Sequence, residues 1–202
     1  NTSSNMDIKL KENASKIVVS GHRGGKYDYE NSLSGFKLAI EKGINELEFD
    51  IWLTKDKTPI VIHGVEGCID FENSETGVKK TDKMVDLTLD QIKSVTLPNG
   101  ESIPTFEELL TVCKGTDIKL NVELKDPNIE VCQRVVDLLN EYEFSPESYN
   151  FSSFEHHTLE ELKRINPDFV VGYLYRYTDK MDADYYTKHG DSCNVNYLLL
   201  TD

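Results

Sequence analysis

The sequence predicts an α/β fold closed as a (β/α) barrel, and three observations predict it. Strand-like and helix-like runs alternate along almost the whole chain, which implies a parallel sheet joined by right-handed crossovers. The strand runs are short, with polar residues at alternate positions. Chemistry-bearing residues cluster at the carboxyl ends of those runs, where a parallel barrel gathers its site. A doubly wound nucleotide-binding sheet is the weaker alternative, because no Gly-x-Gly-x-x-Gly or Walker-type loop follows a strand.

Residues 17–20 are a β-rich run ending in Gly21, Gly24 and Gly25. Leu33, Phe36 and Ile40 recur at helical spacing, and Gly43 supplies a C-terminal cap. Residues 46–53 and 59–63 read as two strands around a polar turn, Thr54 to Lys57. From Gly64 to Lys83 no period holds, so residues 64–83 are expected as a long loop or inserted element beside the site. Residues 88–95 read as a short helix, and Thr105 with Glu108 forms a capping box for a helix stopping at Gly115. Residues 120–124 are the next strand, followed by a helix with Ile129, Cys132, Val136 and Leu139 on one face. Residues 149–154 form another strand. Thr158 and Glu161 suggest a second capping box, and Asn166-Pro167 a stop. Residues 169–175 and 195–200 complete seven expected strands. One domain spanning residues 1–202 is expected, with no repeat or linker.

A formal net charge of -14 counts against a nucleic-acid or anionic-membrane surface. No apolar run approaches the ~20 residues of a membrane span. Cys68, Cys113, Cys132 and Cys193 are scattered, without metal-finger spacing, and Cys113 and Cys132 read as buried free thiols. A reducing, cytoplasmic location is the expectation, with secretion after signal cleavage left open. The oligomeric state is not legible.

Glu48 and Asp50 stand two apart in a strand, so they share one face while Leu47, Phe49 and Ile51 take the other. Two carboxylates aimed into a barrel need a positive partner, and oxygen ligands suit Mg²⁺ or Ca²⁺. Asn121, Glu123 and Lys125 repeat the pattern, with Glu123 as third ligand and Lys125 placed for a phosphate oxygen. An isolated Glu-x-Asp would be read as pairing with Arg23 or Lys125; three matching strand ends favour the cation. His22 and His63 end strands, and an imidazole titrating near neutrality serves as acid or base. Arg23 carries a fork suited to phosphate, provided that Gly24-Gly25 turns it toward the site. Glu30 is placed to order Arg23 or His22, and Asn31 reads as a helix cap. Tyr27 and Tyr29 are pocket or surface residues. His156, His157 and His189 read as surface residues.

These residues resemble the glycerophosphodiester phosphodiesterase family. The likeness runs through His22-Arg23-Gly24, Glu30-Asn31-Ser32, Glu46 to Asp50, Pro59 with His63, Pro104 to Glu108, Glu123-Leu124-Lys125 and Ser153-Phe154. It implies a TIM (β/α)8-type barrel, here lacking the final strand–helix unit, that cuts a small-molecule glycerophosphodiester to glycerol 3-phosphate and an alcohol. It further implies Glu48, Asp50 and Glu123 as ligands of a divalent metal, His22 and His63 as the acid/base pair, and Arg23, Lys125 and Glu30 as substrate-binding residues.

The resemblance departs at three places. Gly64 follows His63 where the family usually carries aspartate, an Arg-Thr-Thr run is missing from the next loop, and the sequence reaches Asp202 before the family's tryptophan-bearing final strand, so a longer natural protein is expected. The competing readings are a lysophospholipase D- or sphingomyelinase D-like phosphodiesterase and a non-catalytic barrel binding phosphodiesters or lipids.

Overall fold

The alternation in Glu46 to Leu53 has the two-residue period of a strand, and the polar series faces one way while the apolar series faces the other. The computed structural model describes residues 20–24, 28–176 and 192–193. Their strands are β1 (Ser20–His22), β2 (Glu46–Leu53), β3 (Pro59–Val61), β4 (Lys119–Leu124), β5 (Tyr149–Ser153), β6 (Val171–Tyr173) and β7 (Ser192–Cys193). The helices are α1 (Leu33–Glu41), α2 (Leu89–Ser94), α3 (Phe106–Cys113), α4 (Glu130–Glu141) and α5 (His156–Ile165).

The sheet runs β1-β2-β4-β5-β6-β7, every neighbouring pair parallel, as expected of a (β/α) barrel. β3 is a correction to the expected set of barrel strands. It pairs antiparallel with the end of β2, Ile51 opposite Val61 and Leu53 opposite Pro59. The turn between them is too short for a parallel crossover, so the chain folds back as a hairpin. That strand ends at Val61, and His63 lies two residues beyond it.

In-register pairing sorts the side chains into rows. Phe49, Val122, Phe151 and Val171 form one apolar row and are fully or almost fully buried. They pack with Phe36 and Ala39 of α1, Phe106 and Leu109 of α3, Val135 of α4 and Leu162 of α5. Each such side chain contributes about 1.5–3 kcal/mol of burial. A second cluster gathers Ile60, Ile62, Ile69, Val78, Met84, Ile92 and Ile103. The aperiodic segment 64–83 is therefore packed on its own small core and pinned by bridges such as Cys68 to Lys83 and Asn73 to Val78.

Capping follows the sequence in most places. Thr88 with Gln91 and Thr105 with Glu108 close complete capping boxes for α2 and α3. Two helical expectations change. Helix α5 begins at His156, so Thr158 lies inside its first turn and its hydroxyl donates to the Glu155 carbonyl (2.7 Å). Ile129 precedes the first turn of α4 and is 48 % exposed, with Val131 and Val135 completing the buried face. The strand expected at 195–200, residues 17–19, Gly25, Tyr27 and His189 lie outside the described residues.

Candidate active site

The pairing that stacks apolar rows under the helices stacks polar rows on the opposite face. His22, Glu48, Asn121 and Asn150 are cross-strand neighbours in β1, β2, β4 and β5. Two residues further on, Asp50 sits opposite Glu123, which sits opposite Ser152. Glu48, Asp50 and Glu123 thus converge, with a ligand oxygen from each lying within 4.8 Å of the others.

All three carboxylates are buried, Asp50 completely. Among the described residues, Glu48 Oε1, Asp50 Oδ1 and Glu123 Oε1 have no hydrogen-bond partner. Three buried oxygens without donors, on carboxylates that converge, are costly unless a cation joins them, and the all-oxygen set fits a hard divalent ion. Burial first, and then the Asp50 charge, push the Glu123 carboxyl well above the carboxylate range. Burial also opposes ionisation of Asp50, but contact with Glu123 and the Lys125 ammonium outweigh it and hold that carboxyl low. Without a cation the pair therefore favours one proton between two acids.

Two cations flank the trio. Lys125 follows β4, with Nζ 3.6 Å from Glu123 Oε1 and 4.0 Å from Asp50 Oδ1. Arg23 has Nε 3.5 Å from Asp50 Oδ2 and donates from its terminal nitrogen to Glu30 Oε2 (2.7 Å). The turn of Arg23 toward the site is made by Arg23 itself, at φ +49°, and by Gly24 at φ +88°. A Cβ at Gly24 would stand 3.1 Å from the Phe36 ring.

The two histidines are held differently. His22 lies 2.7 Å through Nδ1 from Glu48 Oε2 with most of its side chain exposed, and that hydrogen bond holds its imidazole above the ordinary value. His63 places Nδ1 2.7 Å from the Gly64 carbonyl, while Trp52 Nε1 donates to the His63 carbonyl (3.1 Å). A carbonyl only accepts, so Nδ1 of His63 carries the proton and Nε2 keeps its lone pair. Burial, followed by the nearby Lys125 charge, holds His63 below its ordinary value.

Sequence reasoning underrated Asn31. It is buried at φ +54° and donates from Nδ2 to Asp50 Oδ2 (3.1 Å), while Ser32 caps α1 by accepting from the Gly35 N–H (3.1 Å). Two cap-type residues in succession were the available signal, since one helix end needs only one of them. Trp52 was also missed, because nothing in a strand sequence says which carbonyl an indole will meet. Both His156 and His157 open α5; His156 is a correction to the surface reading, half-buried and packing edge-on against Tyr173 and Tyr175, whereas His157 is exposed as expected and meets the Pro127 carbonyl (2.6 Å).

Fold and site together define a class, a (β/α)-barrel hydrolase with a carboxylate cage at its strand ends. The chain belongs to the glycerophosphoryl diester phosphodiesterase family, whose model matches residues 22–200. It is 32% identical over 174 residues to a glycerophosphodiester phosphodiesterase of Caldanaerobacter subterraneus subsp. tengcongensis, covering 80% of this chain and 68% of that protein. A crystal structure of a candidate glycerophosphodiester phosphodiesterase from Galdieria sulphuraria superposes with TM-score 0.74 at 30% identity, covering 84% of this chain and 69% of that one. The fold also matches an Oleispira antarctica phosphodiesterase in complex with its product sn-glycerol-3-phosphate, at TM-score 0.70 and 24% identity over 85% of this chain and 71% of that one. No helix among the described residues is long and apolar enough to cross a membrane.

Proposed function

We propose that this chain hydrolyses glycerophosphodiesters to glycerol 3-phosphate and an alcohol, with Mg²⁺ or Ca²⁺ held by Glu48, Asp50 and Glu123. The observation that carries this reading is the trio of buried carboxylate oxygens without hydrogen-bond partners, flanked by Arg23 and Lys125. Glu48, Asp50 and Glu123 would hold a divalent cation, which would supply Lewis-acid polarisation of the phosphoryl oxygen and a fixed point for the glycerol hydroxyls.

Arg23 and Lys125 offset the charge that develops on the equatorial phosphoryl oxygens, and Glu30 keeps the guanidinium aimed. Of the two imidazoles, one accepts a proton from the attacking water and the other donates to the departing alkoxide. One phosphorus–oxygen bond forms, the bond to the alcohol breaks, and one water is consumed overall. Every group that this scheme needs is present, so a barrel that only binds phosphodiesters is not favoured. Free thiols at Cys68, Cys113 and Cys132 support placing the protein in a reducing compartment, the cytoplasm.

Release of glycerol 3-phosphate from glycerophosphocholine and glycerophosphoethanolamine, with Mg²⁺, with Ca²⁺ and with EDTA, tests the proposal. His22→Ala is expected to lower turnover by about 10²–10⁴-fold. Release that ignores both EDTA and that substitution would overturn it.

A further inference from the structure

Beside the carboxylate cage a pocket of about 140 Å³ opens between the start of α1 and the segment after His63. His63, Asn31 and Glu30 line it, and Asn31 donates to Asp50 while Glu30 accepts from Arg23, so the pocket adjoins the cage. Its floor is apolar, built from Ile69, Leu97 and Ile103, which are almost fully buried. Tyr29 and Phe71 line it together, their rings edge to face with centroids 6.3 Å apart.

Charge completes the picture. Asp70 lines the same pocket and is exposed. Burial first, and then the negative charges of Glu30 and Asp70, raise the Tyr29 hydroxyl above its ordinary value, with Arg23 opposing. The Arg23 charge is itself met by Glu30 and Asp50. Around Tyr29, Phe71 and Asp70 the pocket thus joins aromatic side chains to negative charge, whereas at His63 the Lys125 charge is felt.

A polyol head would lose its hydrogen bonds on that apolar floor. A primary ammonium needs close acceptors for three N–H bonds; Glu30 Oε2 accepts from Arg23, which leaves Asp70, exposed to competing water, as the main carboxylate to meet them. A methylated ammonium needs none: aromatic rings and a diffuse negative field are what stabilise it. Resting on the hydrolytic reading above, we propose that this pocket receives the alcohol arm of the diester and selects a quaternary ammonium head of the choline type. Tyr29, Phe71 and Asp70 are then the residues that set substrate preference.

Two measurements on the full chain test this. First, binding of choline to the metal-free protein is followed by NMR, with ethanolamine and glycerol as competitors. Choline is expected to bind most tightly, and Phe71→Leu to weaken it by about tenfold. Second, kcat/KM is compared for glycerophosphocholine and glycerophosphoglycerol. The choline preference is expected to fall by about tenfold in Phe71→Leu and by a smaller factor in Asp70→Asn, whose left-handed backbone at φ +59° asparagine tolerates. Choline binding no tighter than ethanolamine, or a preference unmoved by both substitutions, would overturn the pocket assignment. Failure to cleave either diester would instead count against the hydrolytic reading, while choline binding lost in Phe71→Leu would still support the pocket.

Discussion

The Gly64 carbonyl turns back onto the neighbouring imidazole, reaching Nδ1 of His63 at 2.7 Å. It does so because Gly64 adopts φ +68° in a space where a Cβ would stand 2.6 Å from Met84 Cε and 2.8 Å from the Cys68 carbonyl. A main-chain group thus orients this histidine at the position where the family resemblance leads one to expect an aspartate. Gly64→Ala and Gly64→Asp are expected to cost about 2–4 kcal/mol of stability through backbone strain and overpacking. Urea unfolding measures that cost, and turnover of the folded fraction should fall with it.

Trp52 supports the same histidine from the other side by donating to its carbonyl (3.1 Å). Trp52→Phe keeps an aromatic ring and removes that donor, a loss of about 1 kcal/mol. A lower kcat with KM little changed is the expected kinetic signature of a misplaced imidazole. An unchanged kcat would assign the indole to packing alone.

Cation binding should register in stability as well as in activity. Divalent ion at a hundredfold excess over its dissociation constant stabilises the folded state by about 2.7 kcal/mol, visible as a rise in Tm. Glu123→Gln removes one of three buried, mutually repelling carboxylates. The expected result is a metal-free protein at least as stable as the parent and a Tm that no longer responds to the ion.

His22 and His63 are expected to titrate on opposite sides of the ordinary histidine value when the metal-free protein is followed by NMR. Glu48→Gln should lower His22, whose hydrogen bond to Glu48 is the largest cause of its shift. The signs for folding are opposite too. The raised His22 contributes stability that is complete below its unfolded value and lost as pH rises through its folded one. The depressed His63 makes the unfolded chain the better proton binder, so its contribution weakens the fold as pH falls below the unfolded value. The two slopes should partly cancel near neutrality.

Thiol chemistry separates the cysteines. Burial pushes Cys113 and Cys132 up to about 12, and Cys132 donates to the Thr158 carbonyl (3.2 Å), whereas Cys68 is only half-buried. Alkylation of the native protein followed by peptide mapping should modify Cys68 well before Cys113 or Cys132. Equal rates would mean that α3 and α4 open readily.

The site was legible where a regular backbone dictates direction. Strand alternation put Glu48 and Asp50 on one face, and the same rule placed Glu123, before any pairing was known. The capping box at Thr105 was local and therefore readable. What escaped was tertiary. Thr158 carries the capping pattern, but packing of His156 against Tyr173 and Tyr175 accompanies a helix that starts two residues earlier. The antiparallel course of β3 depends on the β2 edge that it meets, and the small core beneath residues 64–83 has no period because isolated bridges, not a regular element, organise it.

Strand β3 and the residue that follows it part their side chains between two interiors, Val61 joining the cluster under the helices and Ile60 and Ile62 the smaller one. That division gives the molecule two semi-independent zones for change. Tyr29 and Phe71 pack on the smaller cluster, apart from the apolar row behind Glu48, Asp50 and Glu123. Descendants of such a chain can acquire new preferences by drift in one zone while the carboxylate trio is inherited intact in the other, provided that Trp52 and Met84, which tie the smaller zone to His63, are kept.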